Sequence, residues 1–140
     1  MVNLLEKANI NFGILGTEEM CCGETARRMG NEYLAQILMQ QQIESFNKYG
    51  VKKIITYCPH CFNTFKNEYP QFSGNYEVFH HTEFLWDLIK RGKLKLNTNV
   101  EMNAVYHDSC YLGRYNNIYD APRKLLQSIE KSSQRLPINS

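Results

Sequence analysis

The order of elements along this sequence predicts an α/β domain with a mainly parallel sheet of about four strands flanked by helices. Short β-branched or aromatic runs alternate with longer segments of helical periodicity, and glycines close those segments. Read in order, the alternation is βαβαβαβα, the pattern of parallel strands joined by crossover helices. The 140 residues suit one domain over residues 1–130, followed by a frayed tail at 131–140 that is polar, carries Pro137 and has no periodicity. A domain this size buries roughly 68% of its unfolded surface, so a core can form without disulfide or metal staples. Any metal site would then serve chemistry first.

Leu4 to Ala8 reads as the tail of a helix, and Asn11 to Leu15 (NFGIL), ended by Gly16, as a buried strand. Residues 16–23 form a loop carrying Cys21 and Cys22. Glu24 to Tyr49 is rich in helix formers and apolar at Ala26, Met29, Tyr33, Leu34, Ile37 and Leu38, which predicts one long helix stopped by Gly50. Lys53 to Tyr57 (KIITY) reads as the second strand, and Pro59 suits the first turn of a helix over His60 to Glu68. Asn75 to His80 (NYEVFH) is the third strand. Thr82 is placed as the cap of a helix with Phe84, Leu85, Leu88 and Ile89 on one face, closing at Gly92. Asn103 to His107 (NAVYH) is the fourth strand and Ala121 to Ile129 the last helix. Tyr33, Phe46, Phe79, Phe84 and Trp86 fall at core spacing.

Charge and hydropathy narrow the function classes. Sixteen Lys and Arg against 14 Asp and Glu leave a net charge of +2 without a basic stripe, so nucleic acid is not an expected partner. No apolar run approaches the roughly 18 residues of a membrane span, and Met1 to Asn11 lacks the layout of a signal peptide. Five cysteines, an odd number with two of them adjacent, make a poor disulfide framework. A soluble, unexported chain in the reducing cytoplasm is the expectation. There, clustered thiols point to metal binding or redox chemistry, because a thiolate is both a soft ligand and a nucleophile.

In the predicted topology Cys21 and Cys22 follow the first strand, Cys58 and Cys61 the second, and Cys110 the fourth. All lie past strand C-termini, the edge where open α/β sheets bind ligands. Cys21, Cys22, Cys58 and Cys61 are therefore expected to share one pocket, although 35 residues lie between Cys22 and Cys58. The helix starting near Pro59 points its N-terminus at Cys58, which favours a thiolate. A CxxC pair can bite one ion or one cluster, whereas an adjacent pair more naturally bridges different irons, so the set tilts towards iron and sulfide. A four-thiolate zinc site, or a domain with structural cysteines and no metal, is the alternative. The Cys58-Pro59-His60-Cys61 box also fits a thioredoxin-like dithiol, but such folds face the dithiol with a cis-proline, and neither Pro70 nor Pro122 immediately precedes a predicted strand. His80, His81 and the pair His107 and Asp108 read first as strand-end or capping residues and second as extra ligands or proton donors. Arg114 is either a positive charge beside a cluster or an exposed loop residue. Gly13, Gly16 and Gly23 form no phosphate-binding pattern.

CCG at 21–23, CPHC at 58–61 and YHDSCYLGRYN at 106–116 resemble the cysteine-rich CCG domain of the heterodisulfide reductases and their relatives. The runs ARRMGNEYLAQ and NKYGVKKIITYCPHCFNTFKNEY are similar to membrane-linked iron-sulfur oxidoreductases associated with electron-transfer flavoprotein and acyl-CoA dehydrogenases, and the resemblance covers Leu4 to Ser128. It implies a pseudo-duplicated domain whose repeats each carry Cys, then CC, then CxxC, and hold one iron-sulfur cluster, a noncubane [4Fe-4S] type in the best-characterised relatives. Position by position, Cys21, Cys22, Cys58 and Cys61 match the first repeat as ligands, with its leading cysteine expected upstream of Met1. Cys110 matches the opening of the second repeat. By resemblance the chain is thus an internal fragment or subunit of an iron-sulfur oxidoreductase, not a complete enzyme. Its partners would be the remaining segments or subunits and a flavoprotein electron donor, in a parent complex at the cytoplasmic face of the membrane.

Overall fold

The computed structural model describes residues 1–96 and 105–129. They gather into two compact units, the first Phe12–His81 and the second drawn from Met1–Asn11 and Thr82–Ser140.

In the unit Phe12–His81, strand β1 (Lys53–Thr56) pairs in parallel with β2 (Glu77–His80), in the register Lys53 to Glu77 and Thr56 to His80. The crossover between them is helical, as a parallel pair requires. It starts as α4 (Pro59–Asn63), widens into a π turn (Thr64–Glu68) and tightens into a 3-10 turn (Tyr69–Phe72). This βαβ unit is the part of the expected sheet that forms. Among the described residues the sheet has two strands, not four. Residues 11–15 make no ladder: Gly13 interrupts the run and Ile14 is 75% exposed, although Leu15 packs against the core. Of the expected strand at 103–107, residues 105–107 are not in a strand and 103–104 lie outside the described residues, as does the tail from 130.

The expected single helix over 24–49 is two, α2 (Glu24–Arg28) and α3 (Glu32–Lys48). Gly30 sits at φ +83, a left-handed position that ends α2, and the Asn31 side chain accepts a hydrogen bond from the Leu34 amide at 3.1 Å to start α3. The break also changes which face is buried. Met29 and Tyr33 are about four-fifths exposed, while Ala35, Met39, Gln42, Ile43 and Phe46, spaced at helical period, turn inward. The core joins that face of α3 to Cys22, Phe65 and Tyr69, with Ile54 and Val78 of the strands packed against it. Phe46 meets Phe65 edge to face at 5.7 Å, and Phe65 meets Tyr69 at 4.9 Å.

The other unit contains α1 (Val2–Lys7), α5 (His81–Lys90), α6 (Cys110–Asn116) and α7 (Asp120–Ile129). Because α5 begins at His81, Thr82 lies inside the helix and is buried there; it is not the cap. Helix α6 is absent from the sequence expectations because Gly113 and Asn116 give it weak propensity. It ends at Asn117, whose φ is +55, and Arg123 of α7 pairs with Asp108 just before it. No helix among the described residues is long and apolar enough to cross a membrane.

Asn31 alone caps a helix that supplies most of the core face. Asn31→Ala is expected to destabilise the chain by about 1 kcal/mol in urea unfolding, without changing the folded far-ultraviolet dichroism.

Candidate metal centre

The CPHC box sits where β1 ends. Cys58 is the N-cap of α4 with extended backbone (φ −90°, ψ 119°), and Pro59 follows at the first helical position. The Cys58 amide donates to Thr56 Oγ1 at 3.2 Å and its carbonyl accepts from the Phe62 amide at 2.9 Å, so the residue is held on both sides. The CCG turn is held from α3. The Met20 amide donates to Oε1 of the buried Gln42 at 3.1 Å, fixing the chain as it enters Cys21. Gly23 then takes φ +81, and a Cβ there would lie 2.9 Å from the Ala35 carbonyl oxygen and 3.0 Å from Met39 Cγ. Both conformation and space demand glycine, which is the physical meaning of the third letter of CCG.

These two supports bring the motifs together. Cys22 Sγ lies 3.2 Å from Cys61 Sγ, and all five cysteines are free thiols. Cys22 is buried, Cys58 and Cys61 are half-buried and Cys21 is exposed. The buried Tyr69 hydroxyl donates to the Cys22 carbonyl at 3.3 Å. Its phenol is pushed up first by burial and then by the negative charges of Cys22, Cys61 and Cys21. Cys58 raises Cys61 by charge and by a side-chain hydrogen bond, both weaker than the effect of Cys22, so it belongs to the same neighbourhood. The hydrogen bond from Cys61 lowers the Cys22 thiol to about 7 against the opposing effect of burial. The same bond, followed by burial, raises Cys61. The pair thus gives up its first proton easily and holds the second. Among the described residues, no three His, Cys, Asp or Glu side chains are arranged to hold a single metal ion. Two thiolates on one tetrahedral ion at about 2.3 Å would stand roughly 3.8 Å apart, wider than the 3.2 Å between Cys22 and Cys61.

Behind the sulfurs, Glu68 on the π turn binds the helix that follows CCG to the helix that contains CPHC. Arg27 Nη1 donates to its Oε2 at 3.0 Å, Arg28 Nη2 and Asn63 Nδ2 donate to its Oε1, and Arg27 Nη2 reaches Gln71 at 3.1 Å. Arg27 also pairs with Glu32 and Arg28 with Glu24. Sequence reasoning singles out none of Glu68, Arg27, Gln42 or Tyr69. The one available signal is the two arginines shortly after CCG, whose acidic partner lies 41 residues on from Arg27.

His80 ends β2 beside the end of β1, where its Nε2 donates to the Tyr57 carbonyl at 3.2 Å. Burial, then the neighbouring His81, lowers it to about 4. It is a buried strand-end residue, the first of the two expected roles. Cys110 is the first residue of α6, exposed, in the unit Met1–Asn11 with Thr82–Ser140; the other four cysteines belong to Phe12–His81. Arg114, His107 and Asp108 lie in the same unit as Cys110, and Asp108 is engaged by Arg123.

Glu68→Ala should cost about 2 kcal/mol by denaturant unfolding, less than a fully buried pair because Arg28 is 44% exposed, and Glu68→Gln should cost less. The depressed His80 makes neutral imidazole the folded form. Its contribution is complete above the unfolded value of about 6.5 and is lost as pH falls towards about 4, so stability should fall through that window in the wild type and fall less in His80→Phe.

A search of protein-family models finds the CCG cysteine-rich domain over residues 1–66 and 104–139. The chain is 58% identical over 128 residues to an EtfAB:quinone oxidoreductase of Syntrophomonas wolfei, covering 91% of this chain and 18% of that protein. It is 51% identical over 126 residues to the probable iron-sulfur-binding oxidoreductase FadF of Bacillus subtilis, covering 90% and 18%. It is 37% identical over 132 residues to one component of the dihydromethanophenazine:CoB–CoM heterodisulfide reductase of Methanosarcina mazei, covering 90% and 32%. The chain therefore spans between about a fifth and a third of the length of these relatives. No solved structure matches it. With both cysteine motifs folded into one neighbourhood and the family model matching most of its length, the chain belongs to the CCG cysteine-rich domain family.

Proposed function

We propose that Cys21, Cys22, Cys58 and Cys61 hold an iron-sulfur cluster through which this domain passes electrons as part of a larger oxidoreductase. The observation that carries the proposal is the meeting of the two motifs, with Cys22 Sγ and Cys61 Sγ 3.2 Å apart and every thiol free. The donor set fits the group: four soft sulfurs from two turns, with one thiol lowered to about 7 and so ready to ligate as thiolate. When bound, the cluster supplies a one-electron carrier. The chain's own residues do the rest. Gly23 and Gln42 hold the CCG turn against α3, Thr56 and Pro59 set Cys58 at the end of β1, and the Glu68 network keeps the two turns at one spacing.

A single zinc ion needs its donors on one small tetrahedron, and the described residues offer no three so placed. The adjacent Cys21–Cys22 pair reaches different irons more naturally than it chelates one ion, which favours iron over the zinc alternative. Within the proposal we place a [4Fe-4S] cluster of the noncubane type the family resemblance implies. A flavoprotein serves as electron donor, a role supported by the likeness to the EtfAB:quinone oxidoreductase of Syntrophomonas. A reducing cytoplasmic setting suits free thiols. Cys110 is proposed as a ligand belonging to a second motif, not to this set.

The test is anaerobic purification followed by iron, acid-labile sulfide and visible absorbance measurements, before and after incubation with iron and sulfide. Iron and sulfide with broad visible absorbance are expected. Cys58→Ser and Cys22→Ser should abolish that absorbance while far-ultraviolet dichroism persists, and Cys110→Ser should keep it. Zinc alone, or no metal after reconstitution, overturns the proposal.

A further inference from the structure

We propose that Cys22 and Cys61 form a disulfide across the two motifs when the metal-free chain meets a peroxide, in preference to a bond within the CPHC box. The two sulfurs stand 3.2 Å apart as free thiols, so a bond of about 2.05 Å requires them to close by about 1.2 Å. Neither partner is free to drift away. Cys22 precedes the turn that Gly23 lays against the Ala35 carbonyl, and Cys61 lies in α4, whose Asn63 donates to the Glu68 carboxylate that also accepts from Arg27 and Arg28. Cys58, the other member of CPHC, also contacts Cys61, but more weakly than Cys22 does, and its backbone is fixed as the N-cap: its amide donates a hydrogen bond to Thr56 Oγ1 and its carbonyl accepts one from the Phe62 amide. The bond would therefore link residues 39 apart in sequence. Cys61 is half-buried and Cys22 nearly closed off, an opening that suits a small oxidant such as hydrogen peroxide.

The chemistry balances with peroxide as sole oxidant. One thiolate sulfur of the pair attacks a peroxide oxygen; the O–O bond breaks, an S–O bond forms, and hydroxide leaves to become water. The second sulfur attacks the first, forming the S–S bond as the S–O bond breaks and releasing a second water. Two thiols give up two electrons and two protons, and one peroxide becomes two waters. Since both sulfurs are among the proposed cluster ligands, the bond would close that site to metal. That corollary rests on the function proposed above; the bond itself does not.

The experiment uses the full chain, reduced and freed of iron, treated with one equivalent of hydrogen peroxide without oxygen. Free thiols are counted and the linked peptides fragmented by mass spectrometry. Thiols should fall from five to three, with the link mapped to Cys22 and Cys61 and reversed by a dithiol. The double variant Cys21→Ser with Cys58→Ser should lose two thiols in the same way, and Cys61→Ser should form no bond with Cys22. A Cys58–Cys61 or Cys21–Cys22 link, dimers joined through cysteine, or no loss of thiols would overturn the proposal. No metal enters the readout, so failure here is distinct from failure to bind a cluster.

Discussion

How closely the turn at Gly23 rests on α3 decides where Cys22 is, and most of what surrounds the sulfurs follows from that contact. The missing side chain lets the backbone come within reach of the Ala35 carbonyl, and the positive φ turns the chain into α2. Once α2 starts there, its two arginines project towards the crossover helix and find Glu68, whose carboxylate accepts from both. A bulkier residue at position 23 would shift the turn, and the arginine geometry and the Cys22–Cys61 approach would shift with it. Packing and electrostatics are therefore coupled at this site. The glycine sets the distance, and the buried carboxylate keeps it.

Much of this architecture is legible in the residues. The parallel pairing of KIIT with EVFH and the helical crossover starting at Pro59 follow from composition and turn chemistry. CCG does meet CPHC, but not through the expected strand edge: residues 11–15 form no strand, and the CCG turn is held from α3. The departures have particular causes. Residues 11–15 resemble a strand because Phe12, Ile14 and Leu15 are apolar, but strand formation needs a partner edge and a continuous pattern, and Gly13 and the exposed Ile14 break that pattern even though Leu15 reaches the core. Helix formers flank Gly30 on both sides and mask the break in 24–49, although Gly30 and Asn31 together are a stop and a start signal. A continuous helix would put its apolar stripe through Met29 and Tyr33, which in the fold face water. The support behind the site is illegible for a different reason. Ion pairs between residues 40 or more apart leave no local pattern, so Glu68 reads like any surface acid until the fold brings it to Arg27.

The Cys22–Cys61 pair is poised between two outcomes. At 3.2 Å the sulfurs are too near for two thiolates of one tetrahedral ion and too far for a covalent bond, and they share a proton instead. Small rotations of the side chains decide which way the pair moves, and the rigid turns on either side limit those rotations to small ones. Free thiols in this arrangement are a state the fold maintains by holding the two backbones at fixed spacing.

One consequence follows from the division of the chain into units. The two cysteine motifs, the glycine that seats one of them, the strand that ends at the other and the carboxylate that joins their helices all lie within Phe12–His81. A stretch that carries both cysteine motifs and the scaffold that aims them keeps its thiols and their supports in one compact cassette. Evolution can copy such a cassette, graft it beside other domains or let one copy decay without rebuilding the site from separate parts.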